Sequence, residues 1–259
     1  MMDAFYVQDG AAFHASPLTR GPWDSRFQHG GPPSALLTGA MARFGEDAER
    51  FFLARVTIDL LRPVPIAPVQ VTVEPVKMGR TVQRLHARLT VDGNAVLTAT
   101  AIRIRRSTLS RPPPSEGGGW PEPTSLPPFM FSFFIDDVGY HQAVDLRIAR
   151  GRWGATPIRF WGRATIPLVA GRQTLPREQV MILADAQSGL GIAVPPSDFT
   201  FVNPDLTVYF ERDPVGQWLG LDIRTTVNEA SVGLAQSELR DSRGVIGRSA
   251  QSLLVAARG

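Results

Sequence analysis

The residues of this chain best suited to chemistry are a few carboxylates, amides and glycines. Asp185 lies in Ile182-Leu183-Ala184-Asp185-Ala186, a run that is otherwise apolar. An ionised carboxylate among apolar neighbours costs desolvation unless it is paired. Asp185 therefore needs partners, or a place at a helix end or exposed helix face. A carboxylate within reach of a water can act as general base, and one facing a carbonyl carbon can attack it directly. Gln251 lies in Arg248-Ser249-Ala250-Gln251-Ser252-Leu253, where its amide bonds across strands or holds a polar ligand. Asn203 and Asp205 share a face if their strand is regular, which makes Asp205 a reserve acid.

A second group is Phe27-Gln28-His29-Gly30-Gly31-Pro32-Pro33-Ser34. Gly30 and Gly31 open a helix and leave N–H groups accessible to a ligand. With the helix dipole, those groups suit a bound anion or a developing oxyanion. Close packing of helix on sheet explains the same glycines without chemistry, and His29 either lines the site or caps the helix. His14, His86 and His141 are scattered without ligand spacing, so no metal is expected. Asp59, Glu74 and Asp92 read as solvated strand or turn residues. The chain has no cysteine, which excludes a thiolate nucleophile, a disulfide and a zinc-thiolate site.

The elements that must position these residues occur twice. Val56 to Arg106 and Leu206 to Arg258 match at an offset of about 150 residues. Thr57 aligns with Thr207 and Arg62 with Arg212; after one extra residue, Gly93 aligns with Gly244, Ala99 with Ala250 and Thr100 with Gln251. A helix precedes each stretch. The first spans Gly31 to Phe44, with Ala35, Leu36, Leu37, Ala40 and Met41 at helical spacing and prolines in its first turn. The second spans Pro176 to Leu190. Gly31 stands opposite Asp185, so one copy alone keeps the carboxylate and a single working site is expected.

Strands are expected at Leu53–Arg62, around Val69–Val73, at Val82–Val91 and at Ala95–Arg105, with Asp92-Gly93 as a hairpin turn. Ile102 and Ile104 fall on one face of the last of these, Arg103 and Arg105 on the other. The second half offers strands near Gln142–Trp153 and Ile158–Ile166. Further strands follow at Phe199–Phe210, Trp218–Val227, Val232–Leu239 and Gly244–Ala257. Between the halves the proline- and glycine-rich stretch 109–130 reads as a linker, giving units 1–108 and 131–259.

Bulk properties narrow the function. The chain has 259 residues, 43% hydrophobic, and its pI of 9.9 accompanies a net charge of only +3. The basic residues are arginines spread along strands, with Lys77 the one lysine, and no nucleic-acid motif accompanies them. Single arginines could still meet the phosphates of an anionic substrate. The start lacks the pattern of a signal peptide, and no apolar run approaches the roughly 20 residues that span a bilayer. A soluble, cytoplasmic protein is expected.

A helix followed by long antiparallel strands, duplicated, resembles the α+β double hotdog. Phe27-Gln28-His29-Gly30-Gly31, Leu183-Ala184-Asp185, Asn203-Pro204-Asp205-Leu206-Thr207-Val208-Tyr209-Phe210 and Ser249-Ala250-Gln251 resemble acyl-CoA thioesterases of the thioesterase II (TesB-like) type. The resemblance implies hydrolysis of an acyl-CoA without a cofactor. It implies that Asp185, Gln251 and a third residue position a water; threonine is usual at the third place and Asn203 stands there. An amide offers different donors and acceptors from a hydroxyl. Gly30 and Gly31 are expected to bind the thioester oxygen across the joint from Asp185, with His29 and Asp205 beside them. Trp23, Phe160 and Trp161 are expected to wall an acyl tunnel or to pack in the core. A dimer of double hotdogs is an assembly the resemblance allows.

Two other readings stay open. An enoyl-CoA hydratase of the same fold pairs its aspartate with a histidine further along the helix, and none follows Asp185. A non-catalytic acyl-CoA or lipid binder fits the departure at Asn203.

Overall fold

The computed structural model describes residues 3–108 and 119–258. In chain order the first half holds β1 (Tyr6–Asp9), β2 (Ala12–Ala15), α1 (Gly31–Ala42), β3 (Phe51–Leu60), β4 (Pro68–Met78), β5 (Val82–Val91) and β6 (Asn94–Arg105). The second holds β7 (Pro128–Phe129), β8 (Val144–Arg150), β9 (Ile158–Ala164), α2 (Pro176–Ala184), α3 (Gln187–Leu190), β10 (Phe199–Val202), β11 (Asp205–Phe210), β12 (Leu219–Val227), β13 (Val232–Asp241) and β14 (Gly244–Ala257). Of the stretch read as a linker, Pro112-Pro113-Pro114 and Gly117-Gly118 lie outside the described residues. Pro128 and Phe129, at its end, already pair with β8.

All strands join one antiparallel sheet, in the order β1-β2-β4-β5-β6-β3-β11-β14-β13-β12-β9-β8-β7, with β10 also paired to β14. The protein is a double hotdog, one continuous sheet wrapped around its helices. At the centre β3 pairs with β11, and Thr57 lies directly opposite Thr207. Their hydroxyls are 3.1 Å apart. The two threonines that align in sequence are therefore each other's cross-strand neighbours, and the pseudo-twofold of the duplication passes between them.

The local elements follow from their residues. Asp92 and Gly93 take φ values of 48° and 77°, the left-handed pair that a two-residue hairpin turn requires. Helix α1 is buried on almost every side, from Gly31 to Met41, as an apolar helix enclosed by sheet must be. It ends at Ala42, two residues short of Phe44. Pro176 opens α2, and Glu178 Oε2 accepts the Leu175 N–H, a reach-back that caps the helix. Glu178 Oε1 also accepts from Arg43 at 2.6 Å, tying the two helices together.

Two expectations are corrected. The second helix is not continuous: after Ala184 the Ala186 N–H bonds back to Leu183, and α3 starts at Gln187. The Asp185 carbonyl there receives the Gln251 side-chain amide at 3.1 Å. Phe199–Phe210 is not one strand, because Asn203-Pro204 interrupts it between β10 and β11. Proline lacks the N–H a ladder needs. On β6 the arginine face turns inward at Arg103, which is 1% exposed, while Ile104 faces out at 46%. Arg103 is accommodated by Phe44 O at 2.8 Å and Gln83 Oε1.

Candidate active site

A cavity of about 570 Å³ opens where the halves meet. From the first half it is lined by the Gly21–Asp24 and Phe27–Gly30 segments and by the chain after β3, Leu60 to Val64. The second half adds Phe131, Phe133, Phe134, the α2–α3 break and the β10–β11 break. The breaks corrected above are thus the points where backbone turns aside and side chains enter the cavity. Gln28 holds the first-half loop in place: its amide donates to Pro65 O at 2.7 Å and its oxygen accepts from Tyr6 OH at 2.6 Å.

Asp185, at the end of α2, is the buried charge of this cavity, with its side chain 3% exposed. Its Oδ1 accepts from Asn203 Nδ2 at 2.9 Å and from Gln251 Nε2 at 3.2 Å. Its Oδ2 lies 3.1 Å from His29 Nδ1. The sequence thus places Asp185, Asn203, Gln251 and His29 in one cluster, drawn from both halves. Gln251 is fully buried, and its Oε1 has no partner among the described residues. Beneath it Gln187 accepts from the hydroxyls of Ser237 and Ser249 at 2.7 Å, which pins α3 to the sheet. Thr100, the counterpart of Gln251, is exposed on the outer surface.

His29 stacks on Tyr140, with ring centroids 3.8 Å apart and planes 5° from parallel. Tyr140 OH donates to Ile182 O at 2.9 Å, so ring and helix end are fixed together. Burial lowers the His29 pKa, and the charge of Asp185 opposes it only in part, so the imidazole is neutral at pH 7. Burial, and secondarily the charge of Asp185, keeps the Tyr140 phenol protonated.

The glycines divide. Gly30 lines the cavity, and its N–H has no partner among the described residues. The Gly31 N–H is directed at His29 Nδ1, 3.1 Å away, so it is not free for a ligand in this arrangement. Pro32 and Pro33 offer no N–H at all. Both glycines also meet the packing reason: a Cβ on Gly31 would lie 2.4 Å from Ile182 O, and one on Gly30 would lie 2.8 Å from Asp185 Oδ2.

Asp205 does not join the cluster. The break at Asn203-Pro204 removes the regular alternation that would align the two side chains. Asp205 Oδ1 instead accepts the Ser252 N–H at 2.7 Å. Of the aromatic residues expected around an acyl chain, Trp23 lines the cavity. Phe160 is enclosed in the core against Phe129, and Trp161 packs on Trp120 and donates to Pro121 O. The actual wall is Trp23, Phe27, Phe131, Phe133, Phe134 and Phe201, with Trp23 stacked on Phe133 and edge-on to Phe201. The signal was present as Phe129-Met130-Phe131-Ser132-Phe133-Phe134, an aromatic cluster in which Phe129, Phe131 and Phe133 alternate although only Phe129 belongs to a strand. Among the described residues no group of ligating side chains could hold a metal, and no helix is long and apolar enough to cross a membrane.

Comparison with known proteins agrees with this geometry. The profile of the acyl-CoA thioesterase N-terminal domain matches residues 19–104, and that of the acyl-CoA thioesterase C-terminal domain matches residues 111–255. No curated protein matches the sequence. Among solved structures, a hot dog fold protein of unknown function from Alicyclobacillus acidocaldarius is 20% identical, with a TM-score of 0.74 over 99% of this chain and 98% of that one. A presumptive thioesterase from Novosphingobium aromaticivorans is 23% identical, with a TM-score of 0.76 over 96% and 98%. An acyl-CoA thioesterase II from Mycobacterium marinum is 15% identical, with a TM-score of 0.70 over 98% and 96%. At these identities the structures bear on the fold.

Proposed function

Because this chain belongs to the acyl-CoA thioesterase family and is a thioester hydrolase, we propose that it cleaves an acyl-CoA with a water activated at Asp185. One observation carries the reading. A buried carboxylate, held by two amides and a histidine, stands at the wall of an aromatic-lined cavity between the halves.

In this mechanism the acyl chain lies against Phe131, Phe133, Phe134, Phe201 and Trp23. The thioester oxygen is received by the Gly30 N–H, the open donor at the start of α1. Asp185 supplies the negative charge that draws the proton from water. Asn203 and Gln251 fix its orientation through Oδ1, and the unpartnered Gln251 Oε1 is an acceptor for that water. Asn203 does with an amide donor what the family's threonine does with a hydroxyl. The water oxygen bonds to the acyl carbon, the C–S bond breaks, and the sulfur leaves with one proton as coenzyme A. Arg62, exposed on the cavity rim, is placed for the phosphates of coenzyme A. No step needs a cofactor.

The test is thiol release from a panel of acyl-CoAs, short to long and aromatic, by the wild type and by Asp185→Asn. A loss of about 10²–10⁴-fold in the variant is expected. Unchanged turnover removes Asp185 from the mechanism. Binding without thiol release by the wild type favours the non-catalytic acyl-CoA binder. A hydratase reading draws on the same pair, since His29 brings from the other half the histidine that the Asp185 helix lacks. Hydration of an enoyl-CoA in the same assay separates it.

A further inference from the structure

His29 is the member of the Asp185 cluster whose chemistry the proposed mechanism leaves unused. Nδ1 lies 3.1 Å from both Asp185 Oδ2 and the Gly31 nitrogen. The neutral imidazole carries one proton, on one of its two nitrogens. With that proton on Nε2, Nδ1 would accept from Gly31 but would face an ionised carboxylate with a bare lone pair. With it on Nδ1, the contact to Asp185 becomes a charge-assisted hydrogen bond. The carboxylate therefore selects the Nδ1–H form. The lone pair then sits on Nε2, and the Gly31 N–H, still aimed at Nδ1, gives up its acceptor.

Nε2 has no hydrogen-bond partner among the described residues. Unlike the His141 Nδ1, it is not among the buried atoms left without one. It therefore opens on the cavity that His29 lines, where the side chain is 11% exposed. One ring face is covered by Tyr140, so the imidazole is held in a single orientation. The charged groups that share the cavity are Asp24, Arg62 and Asp185, and Asp185 is the one whose charge acts on the ring.

We propose that His29 Nε2 takes the proton from the attacking water and gives it to the departing thiolate, with Asp185 acting through Nδ1. This rests on the thioester-hydrolase reading and moves the role of proton acceptor within it from Asp185 to His29. The water O–H bond breaks as Nε2–H forms, and the imidazolium is stabilised by the carboxylate on its other side. As the C–S bond breaks, Nε2–H passes its proton to sulfur, and the ring returns to its neutral form. Asp185 keeps its charge throughout, as the orienting carboxylate of a nucleophile–base–acid arrangement does.

The experiment is the pH dependence of kcat/KM for the wild type, His29→Gln and His29→Ala, with imidazole added to the last. Burial lowers the His29 pKa, so the base stays active down to that lowered value. The wild-type rate should fall only below about pH 6.5. His29→Gln should lower kcat/KM by about 10²–10³-fold and abolish that limb. Added imidazole should restore His29→Ala in proportion to its free base, a rescue that a structural role would not give. The proposal is overturned if His29→Gln keeps kcat/KM within about threefold, if its pH limb is unchanged, or if folded His29→Ala is not rescued. Should Asp185→Asn be inactive while His29→Gln works, the histidine assignment alone falls. Should the wild type cleave no acyl-CoA, the hydrolase reading falls with it.

Discussion

Gly30→Ala adds one methyl at the most sensitive point of the cavity. Gly30 has helical dihedrals, φ −66° and ψ −18°, so alanine is conformationally acceptable and even reduces the entropy of the unfolded chain. The new Cβ would lie 2.8 Å from Asp185 Oδ2, 3.0 Å from Oδ1 and 3.0 Å from Leu60 Cδ2. Ordinary contact begins near 3.4 Å, so the carboxylate must retreat by about 0.6 Å. That retreat stretches the contacts to Asn203, Gln251 and His29, all already between 2.9 and 3.2 Å. Misplacement by about 1 Å can cost on the order of 10²-fold, so kcat should fall roughly 10–100-fold. The melting temperature should move by no more than about 3 °C, the effect of about 1 kcal/mol in a chain of this size. Gly31→Ala is the contrasting control. Its Cβ would meet Ile182 O, a backbone atom, at 2.4 Å. The helices must separate, and about 1–3 kcal/mol of stability should be lost by overpacking. Thiol release and thermal melts on both variants decide the matter. Full kcat in Gly30→Ala would refute the claim that Asp185 must stay where the structure holds it.

Two further perturbations test other parts of the structure. Asp241 is sealed from solvent and accepts from Arg212 through both oxygens at 2.6 Å. Burial pushes its pKa up, but Arg212 and the N–H groups of Val215 and Arg243 outweigh that and hold it below the usual carboxylate value. Its contribution is therefore complete above about pH 4 and is lost as pH falls through the lowered pKa. Asp241→Asn should cost about 3 kcal/mol at pH 7 and less in acid, read by urea melts at several pH values; a loss independent of pH would contradict the pairing. Phe133 lies at the centre of the aromatic wall, so Phe133→Ala should raise KM about tenfold for acyl chains that reach it and spare kcat. An unchanged KM across the acyl-CoA panel would place the acyl chain elsewhere.

Much of the architecture was legible because duplication and strand alternation are local patterns. Thr57 and Thr207 could be aligned from sequence, and they turn out to face each other across the seam. Asp185, Asn203 and Gln251 were found through motif order, and the fold brings them within hydrogen-bond distance. What escaped was non-local or irregular. The approach of His29 to Asp185 across the halves was expected only through the family resemblance, because no spacing encodes it. Phe129, Phe131 and Phe133 alternate, yet only Phe129 belongs to a strand, whereas Phe160 and Trp161 lie in a strand that buries one in the core and the other beneath Trp120. Pro204 inside the run Phe199–Phe210 signalled the interruption, and the apolar pattern around it hid that signal. Arg103 shows the limit of alternation, which sorts residues to two faces without saying which one is buried.

The seam between β3 and β11 has a consequence for the chain as a polymer. Separated at the linker, each half would present a bare row of backbone donors and acceptors along a strand bearing Val56 and Ile58 or Leu206 and Val208, an invitation to aggregate. Joined, each half is the other's edge protection, and their meeting is intramolecular. The stoichiometry of His29 to Asp185 is therefore one to one in every folded molecule, and dilution, which dissociates hotdogs carried on separate chains, leaves that pairing intact.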